Sequence, residues 1–550
     1  MKKSTVIFYS AFAALLALYL FFAAPNLNPM YSDGAFFWLV VLTVASIVPA
    51  IGSLKAFSFK IVDGQPKFSW NKEAVKVHKW IIILVGALWV VFFAITIIFT
   101  PLFFSKSYKN QLPEPTVKDF NAEVQAIDIS KIPIVDKALA STLADKKLGE
   151  KESLGSQVIL GEPTIQMVDG DLVWVVPLHH SGFFKWLSNM DGAAGYVKVS
   201  ATNLQDVSYV ENYKIKIQPN SFFLDDLERK ARFSGGLFTG MTDYSFELDD
   251  SGNPYWVVTT YKPTCGFALP EATGVIVVDA QTGTSQKYTI ENLPEWVDRV
   301  QPEDFIINQI NNKGEYVNGI FNFSDKDKFK TSKGQNVVYN NGNCYLFTGA
   351  TSVGADESAL GFYMVDMVTK EPILYKMGGA TEYSAMDSAQ GKVQDLRYEA
   401  TFPIILNIND EPTYFMTLKD SAKLIKKYAF VSIKDYMMVG IGDTVTNAKD
   451  DYLNVLANAG AQLDLNKAEE IKTEQVQGVI ERISWNILDN VTTYSFTLEN
   501  NPNIYIVPAD KSIEIALTQK GDAVTIDCKK ANETVYQVTK FDNAALPAKK

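Results

Sequence analysis

Few residues of this chain have the types and spacing that catalysis requires. Two of its three histidines, His179 and His180, are adjacent at the end of a predicted strand. Adjacent strand residues point to opposite faces, so the pair is poorly placed to chelate one ion. The segment "ATSVG" (350–354) is one residue away from a G-x-S-x-G nucleophile elbow, but it leads into a strand and has no histidine partner. The sequence therefore predicts no catalytic residue, no cofactor and no metal site.

The stretch "GVIVVDAQTG" (274–283) has the composition of either a phosphate-binding loop or a turn. A phosphate loop places its glycines at the start of a helix, where backbone N–H groups meet the anion. The residues after Gly283, "TSQKYTI", alternate like a strand instead. Asp279 and Gly283 are therefore predicted to form a turn, in which Asp bonds to its own backbone and Gly takes a positive φ. Four pairs of acids are also interpreted as solvated turn or helix residues: Asp225-Asp226, Asp249-Asp250, Asp356-Glu357 and Asp450-Asp451.

Two variable connectors are candidate binding loops, because loops on a rigid scaffold often carry binding residues. Connector 178–195 is rich in aromatic residues, and connector 348–361 is made mostly of small ones. The candidates for contact with a partner are His179, His180, Phe183, Phe184, Trp186, Asp356 and Glu357. Two alternatives remain for the aromatic residues: they pack beneath their own hairpin, or they touch lipid headgroups.

Composition limits the class of protein. A chain of 550 residues is too long for one hydrophobic core and predicts about three or four domains. The net charge of −11 argues against a nucleic-acid binder, whose binding surface would be basic. Arginines are scarce, so bidentate phosphate clamps are few; the arginines are Arg229, Arg232, Arg299, Arg397 and Arg482.

The N-terminal fifth is predicted to be a membrane anchor. Three stretches, 6–24, 34–54 and 80–104, are apolar, free of charge and long enough to cross a bilayer as helices. The connector between the second and third stretches holds most of the nearby cations: Lys55, Lys60, Lys67, Lys72, Lys76 and Lys79. The positive-inside rule then places the N-terminus and this lysine-rich loop in the cytoplasm, and everything after about residue 105 outside. A cleaved signal peptide is an alternative for the first stretch, and it leaves the same part of the chain outside.

The region outside is built from repeats. Four hairpin signals occur, each with a turn rich in Asp, Asn or Gly and a second strand led by Trp or Tyr, at 164–178, 245–261, 337–349 and 403–418. A further apolar run follows each hairpin, at 195–203, 274–283, 361–370 and 429–438. Such self-similarity indicates a duplicated unit.

A helix followed by strands such as "PYWVVTTY" and "GVIVVDAQTG" resembles the PepSY-like domain family. The copy with the strongest resemblance covers about 383–442, with "PTYFMTL" and "AFVSIKDYMM"; the first copy has "SATN" where the turn Asp is expected. The resemblance implies three-stranded antiparallel units with a preceding helix. It also implies a binding or inhibitory role in a bacterial envelope.

The sequence thus predicts an α+β protein with transmembrane helices, tandem PepSY-like units and a small C-terminal β-barrel that resembles an OB-fold. The barrel is expected from a series of short strands and carries mixed charge, which argues against nucleic-acid binding. The predicted boundaries are 1–105 for the three membrane helices and cytoplasmic loop, 106–162 for a stalk and linker helix, 163–335 and 336–458 for two repeats each, 459–474 for a linker and 475–542 for the barrel.

Three cysteines, Cys265, Cys344 and Cys528, lie outside in this topology. An oxidising compartment permits a Cys265–Cys344 disulfide, but isolated buried thiols are favoured because the spacing forms no framework.

The function predicted from the sequence is that of a non-enzymatic, multi-pass protein of the cytoplasmic membrane. Its extracytoplasmic repeats are expected to bind or regulate a protein partner, on the periplasmic side or on a Gram-positive surface. Two alternatives stay open: a cell-envelope hydrolase acting on peptides or cell wall, and a self-assembling structural membrane protein that forms homo-oligomers.

Overall fold

The computed structural model describes residues 3–52, 57–62, 65–70, 72–120, 131–151, 154–340, 342–353, 359–459, 474–488, 491–509, 512–530 and 534–546. The chain divides into two compact units, Met1–Ala459 and Gly460–Lys550.

The first unit begins with apolar helices. They are α1 (Lys3–Ala23), α2 (Ser32–Gly52), α3 (Lys72–Ile98) and the short α4 (Pro101–Lys109), with a hairpin of β1 (Phe57–Val62) and β2 (Gln65–Trp70) between α2 and α3. Tyr19 of α1 stacks on Phe37 of α2, and Trp89 of α3 donates a hydrogen bond to Thr43 of α2. Within the described residues, Trp80–Ile98 is the one helical segment long and apolar enough to cross a membrane; Ile7–Ala23 and Ser32–Ser46 are shorter.

Four antiparallel sheets follow, and each is a four-stranded meander in chain order. The first contains β5 (Thr164–Val168), β6 (Asp171–His180), β7 (Ala193–Ser200) and β8 (Val207–Ile215). The second contains β9 (Gly240–Leu248), β10 (Pro254–Cys265), β11 (Ala268–Asp279) and β12 (Ser285–Thr289). The third contains β14 (Asn336–Asn340), β15 (Asn343–Ser352), β16 (Ala359–Asp366) and β17 (Pro372–Lys376). The fourth contains β19 (Ile404–Ile408), β20 (Glu411–Lys419), β21 (Ile425–Ser432) and β22 (Val439–Gly442).

The four predicted hairpins are the first two strands of these sheets, and the apolar runs are the third strands. Each unit has a fourth strand, however, so it differs from the three-stranded unit that the PepSY-like resemblance implies. A helix precedes the first strand in every unit: α5 (Lys137–Gly149), α7 (Leu227–Ala231), α8 (Glu303–Glu315) and α9 (Glu382–Lys392). Helix α6 (Phe183–Ser188) joins β6 to β7, and α10 (Val445–Asn458) follows the fourth sheet.

The first strand of the meander is interrupted. In the first, third and fourth sheets, a short strand pairs with the C-terminal part of the second strand; these short strands are β4 (Val158–Leu160), β13 (Phe329–Thr331) and β18 (Glu399–Ala400). After a gap of a few residues, the chain continues as the first strand of the meander, which pairs with the remaining part of the same second strand. In the second sheet β9 is continuous but changes register between Val258 and Thr259 of its partner. At the outer edge of the third sheet, β3 (Thr116–Lys118) adds a parallel strand to β17.

The same backbone hydrogen bonds recur in all four units and show which residues are equivalent. The residue after the third strand donates its N–H to a carbonyl at the start of the second strand: Ala201 to Leu172, Ala280 to Pro254, Met367 to Cys344 and Ile433 to Pro412. The carbonyl group of that same residue accepts a hydrogen bond from a backbone N–H group of the chain that enters the unit. The donors in the four units are Val135, Ile217, Gln301 and Ala380.

The turn after each third strand confirms the interpretation of "GVIVVDAQTG". The carboxylate of Asp279 accepts from the N–H groups of Gln281 and Thr282 at 2.8 and 2.9 Å, Gly283 has φ of 73°, and a strand follows. Asp366 makes the same bonds in the third unit. Ser200 and Ser432 replace the Asp in the first and fourth units, and each accepts from a following backbone N–H.

The first sheet packs on the second, the third packs on the fourth, and the fourth returns to the first. The second and third units are joined by an ion pair between Glu271 and Lys370. Phe246 and Trp256 of the second sheet share a core with Val175 of the first. Phe347 of the third sheet packs with Ile405 of the fourth, whose Ile425 joins a core with Leu139 and Val197 of the first unit. Four sheets that close in sequence around a common centre form a four-bladed β-propeller.

The second unit is a closed five-stranded barrel, as the sequence predicts. Its strands are β23 (Glu474–Leu488), β24 (Val491–Leu498), β25 (Ile504–Pro508), β26 (Ala523–Lys530) and β27 (Val535–Asn543), in the order β23-β24-β25-β27-β26. Phe496, Tyr505 and Phe541 fill the interior. The predicted linker lies mostly outside the described residues.

The three cysteines, Cys265, Cys344 and Cys528, are buried free thiols. This confirms the favoured prediction over the Cys265–Cys344 disulfide.

Candidate functional site

A cavity of about 560 Å³ lies at the centre of the propeller, where the first strands of all four sheets meet. The repeating hydrogen bonds make Thr164, Ser245, Asn336 and Ile404 equivalent, and each lines the cavity. Three of these four side chains are polar. A volume of this size is typical of small-molecule sites.

The interruptions of the inner strands bring further polar groups to the cavity wall. Two positions before Thr164 and Ser245 are Glu162 and Asp243, and Asp243 has a positive φ of 50° where the register of β9 changes. At the equivalent position of the fourth unit, Phe402 supplies an aromatic surface. Because the break frees these residues from regular strand pairing, their side chains are available to the cavity.

Ion pairs border the same cavity. Lys137, in the first turn of α5, contacts Glu162 at 2.7 Å, and Arg299 contacts Glu303 at 3.9 Å. Gln335 donates a hydrogen bond to Glu303 at 2.7 Å. These five side chains come from the first and third units, so the polar border exists only when those two units are brought together.

Three acids, Asp243, Glu247 and Asp298, lie around Arg299 at the cavity wall; Glu247 is buried, whereas the side chain of Asp243 is exposed to the cavity. The surrounding protein still removes part of the water around Asp243, which raises its pKa, and Arg299 opposes the rise. Burial also raises the pKa of Glu247 to about 8, although Arg299 and a 2.6 Å hydrogen bond from Ser245 favour its charged form. The pKa of Asp298 is raised for the same reason, burial. For Arg299 itself, burial would lower the pKa, but the acidic groups nearby, Glu247 and Asp243 among them, raise it and keep the guanidinium charged.

This arrangement can bind a ligand through polar and aromatic contacts, and it includes one candidate proton carrier. Asp243 reaches the cavity wall with a raised pKa, as general acids do. Glu247 is only 1% exposed and does not line the cavity. Across the part of the chain that the structure describes, no group of His, Cys, Asp or Glu is placed to hold a metal ion.

The predicted histidines lie away from this cavity. His179 and His180 are the last residues of β6, where they pair with β4. The ring of His179 packs 5.8 Å from that of Trp256, and burial lowers its pKa to about 4, so it is neutral at physiological pH. The backbone N–H of His180 donates to Gln218 at 2.9 Å. Both side chains are structural parts of the first sheet.

The predicted aromatic residues form helix α6. Trp186 is buried, and its indole N–H donates to the carboxylate of Asp225 at 2.9 Å. Phe183 packs on Trp186 and Phe222, whereas Phe184 is 79% exposed. Trp186 thus packs beneath the loop, Phe183 contacts two aromatic rings but stays partly exposed, and Phe184 is available for a contact. Asp356 and Glu357 lie outside the described residues.

The cavity residues were not found from the sequence. Asp243, Arg299 and Glu303 belong to no motif, and 60 positions separate Asp243 from Glu303. One feature of the sequence pointed to this part of the chain. Arginine is scarce, yet three of the five arginines lie between positions 229 and 299: Arg229, Arg232 and Arg299. Arg229 and Arg232 are also buried, so this region uses arginine where a buried cation is needed.

No known protein family and no curated protein matches this chain. Among solved structures, it is similar to a mutant levansucrase of B. megaterium, with 9% identity over 80% of this chain and 94% of that one and a TM-score of 0.18. An endo-1,4-beta-xylanase from Bacteroides thetaiotaomicron is 12% identical over 52% and 76% of the two chains, with a TM-score of 0.16. Trypanosoma rangeli sialidase is 8% identical over 70% and 54%, with a TM-score of 0.16. Likenesses at this level support no activity for this chain.

We expect the stability of the propeller to fall as pH rises from about 4.5 to about 8, because of Glu247. A carboxyl group with a higher pKa in the folded chain binds its proton more tightly there, so deprotonation favours unfolding. A change of one in pKa corresponds to about 1.4 kcal/mol, so the loss should be a few kcal/mol. Denaturant unfolding of the full chain in detergent at several pH values would measure it.

The substitution Glu247→Gln keeps the shape of the side chain and cannot ionise, so the variant should lose most of this pH dependence. The same substitution at exposed Glu295 is the matched control and should leave the dependence unchanged. Parallel pH profiles for Glu247→Gln and the unsubstituted chain would contradict the assignment.

Proposed function

We propose that this chain is a non-enzymatic, membrane-anchored protein whose β-propeller, held outside the cytoplasm, binds a ligand or protein partner in its central cavity. The main support for a membrane anchor is the helical segment Trp80–Ile98, of which only 6% is buried inside the protein. An apolar helical segment of 19 residues with so little of its surface covered needs a nonpolar environment, and a bilayer supplies it.

The way in which the helices join the propeller supports a three-pass arrangement. The C-terminal end of α1, the N-terminal end of α2 and the C-terminal end of α3 all contact it: the carbonyls of Phe21 and Phe22 accept from Arg229, Tyr31 donates to the carbonyl of Tyr261, and Phe99 packs against Gly266. These three ends therefore lie on one side, and the β1–β2 hairpin with its lysines lies on the other. The positive-inside rule assigns the lysine-rich side to the cytoplasm.

The central cavity supports the binding role. It combines equivalent polar positions from the first strands with ion pairs on its border, and such convergence of groups from several elements is typical of ligand sites. The closed barrel of the second unit, OB-like in the order of its strands, is a second binding module in this proposal.

A hydrolase is the second candidate, and Asp243 is the observation that favours it. Its carboxyl group is on the cavity wall, and the partial loss of surrounding water raises its pKa toward the range useful for proton transfer. A second carboxylate that shares the cavity with a suitable separation would be needed for glycoside hydrolysis. The other acids on the wall are each engaged in an ion pair: Asp136, Glu162 and Glu303. Binding therefore ranks first.

The sidedness is tested by labelling engineered cysteines in intact cells, with any outer barrier opened. A membrane-impermeant maleimide should label Tyr436→Cys, at an exposed site in the fourth unit. It should label Lys67→Cys, in the β1–β2 hairpin, only after the cells are lysed. Labelling of Lys67→Cys in sealed cells, or of neither variant before lysis, would contradict the arrangement.

Ligand binding is tested on the full chain in detergent with libraries of peptides and envelope glycans. A ligand at a hundred times its Kd stabilises the folded state by about 2.7 kcal/mol, which raises Tm measurably. Ala138→Trp should abolish the shift because Ala138 is exposed on α5 and lines the cavity. Thr142→Trp, one turn further along α5 and off the cavity wall, should retain it.

The result decides between the two candidates. A shift in Tm without product, lost in Ala138→Trp alone, is the expected outcome. Product formation that Asp243→Asn abolishes would favour the hydrolase instead. A shift that survives Ala138→Trp would show that the central cavity is not the site.

A further inference from the structure

The propeller has a group of exposed apolar residues beside the end of helix α1. This group, the apolar collar, comprises Phe184, Leu187, Leu224, Phe233 and Phe238. Each is exposed, Phe184 at 79% and Leu224 at 64%. The collar comes from α6, from the segment just before α7 and from the residues that follow α7.

Contacts with α1 fix the depth of the collar. Helix α1 has 21 residues and is about 31 Å long at 1.5 Å per residue. Because a hydrocarbon core is about 30 Å thick, the three-pass arrangement proposed above places the last turn of α1 close to the membrane–water boundary. In that turn Phe21 stacks on Phe233 at 6.4 Å, and Phe22 meets the ring of Phe223 at 6.2 Å. The residues around Phe223 and Phe233 are therefore at the boundary too.

Contacts with Phe223 place helix α6 at the same depth, close to the membrane–water boundary. Trp186 packs 5.8 Å from Phe223 and turns inward, where it bonds to Asp225. Phe184 and Leu187 are three residues apart, so they share the opposite, exposed face of the helix. An aromatic and an aliphatic side chain on a short helix beside a membrane span match the interfacial segments of peripheral proteins.

A buried arginine makes this placement rigid. Arg229 is 7% exposed and donates to the carbonyls of Phe21 and Phe22, the last unpaired acceptors of α1, and to that of Phe223. Its guanidinium also lies over the rings of Phe21 and Phe22 at 5.2 and 5.7 Å. A cation at a helix C-terminus stabilises both the free carbonyls and the helix dipole. Arg229 thus joins the end of α1 to the segment that carries the collar.

We propose that the apolar collar inserts into the outer leaflet of the membrane that α1 crosses, so that the first unit of the propeller lies against the lipid surface. Leu18 and Phe22 of α1 are exposed one turn apart, and Phe22 contacts Phe223, which precedes Leu224 of the collar. Lipid around this end of α1 is therefore next to the collar. The inference rests on the proposed membrane anchor and adds the orientation of the propeller to it.

The experiment uses nitroxide labels on single-cysteine substitutions of the full chain in phosphatidylcholine nanodiscs. Phe184→Cys and Leu224→Cys test the collar. Val90→Cys, at an exposed site of α3, is the lipid reference, and Tyr436→Cys is the water reference. Tyr436 lies between the third and fourth strands of its unit, at the opposite ends of the strands from α6. The native thiols are buried, and the unsubstituted chain serves as the labelling blank.

Accessibility to oxygen, which concentrates in lipid, is compared with accessibility to a water-soluble nickel chelate. The oxygen-to-nickel ratio at Phe184→Cys and Leu224→Cys should be several-fold higher than at Tyr436→Cys and should approach that at Val90→Cys. If both collar labels behave like Tyr436→Cys while Val90→Cys remains in lipid, the collar proposal fails and the anchor stands.

Two other outcomes also overturn the proposal. Collar labels shielded from both reagents would show that protein, either another partner or a second copy of the chain, covers the surface. A water-exposed label at Val90→Cys would overturn the membrane anchor itself, and the collar with it.

Discussion

The propeller depends on how its fourth sheet closes onto the first unit. Lys419, at the end of β20, places its ammonium group 2.5 Å from the carboxylate of Asp136. The side chain of Lys419 is 5% exposed, and Asp136 also accepts from the N–H of Leu139 as the N-cap of α5. Loss of Asp136 would leave a buried cation unpaired, which typically costs about 3–5 kcal/mol. One carboxylate thus joins the last sheet to the first helix of the ring and borders the central cavity.

The rest of the ring follows from one hydrogen-bond pattern used four times. In each unit the residue after the third strand ties together the second strand and the entering chain. In three units an aromatic side chain on the second strand adds a bond to the carbonyl of the entering segment: Trp174 to Val135, Trp256 to Ile217 and Tyr414 to Ala380. The third unit has Leu346 at this position, and no such bond forms. Because the units are held in register, their inner strands bring equivalent positions to one cavity.

The sequence predicted the parts of the fold that depend on local patterns. The hairpins have strong turn residues and alternating apolar positions, and the turn at Asp279 bonds to its own backbone as expected. Of the fourth strands, the one at 285–289 was expected because "TSQKYTI" alternates, whereas "VGIG" at 439–442 was missed because it is a short edge strand with a weak pattern. An edge strand has a partner on one side only, and an exposed one needs few apolar residues.

The central site could not be predicted because it depends on ring closure. Asp243 and Arg299 meet across two units, and Tyr339 donates to the carbonyl of Ile165 from 174 positions away. Sequence spacing gives no measure of such approaches. The predicted aromatic loop was found, by contrast, because "FFKW" is a local feature, and its exposed residue Phe184 belongs to the collar beside α1.

Zero-length cross-linking tests the closure of the ring most directly. A carbodiimide joins a lysine to a carboxylate only when the two groups touch, and mass spectrometry of the digested chain identifies the joined peptides. The account predicts a link between Lys419 and Asp136, together with one between Lys370 of the third sheet and Glu271 of the second, which are 2.6 Å apart. The pair Lys423–Glu399, 2.6 Å apart within the fourth unit, controls for reactivity. If Lys423 links to Glu399 while Lys419 does not link to Asp136, the fourth sheet does not close onto the first unit and the propeller is contradicted.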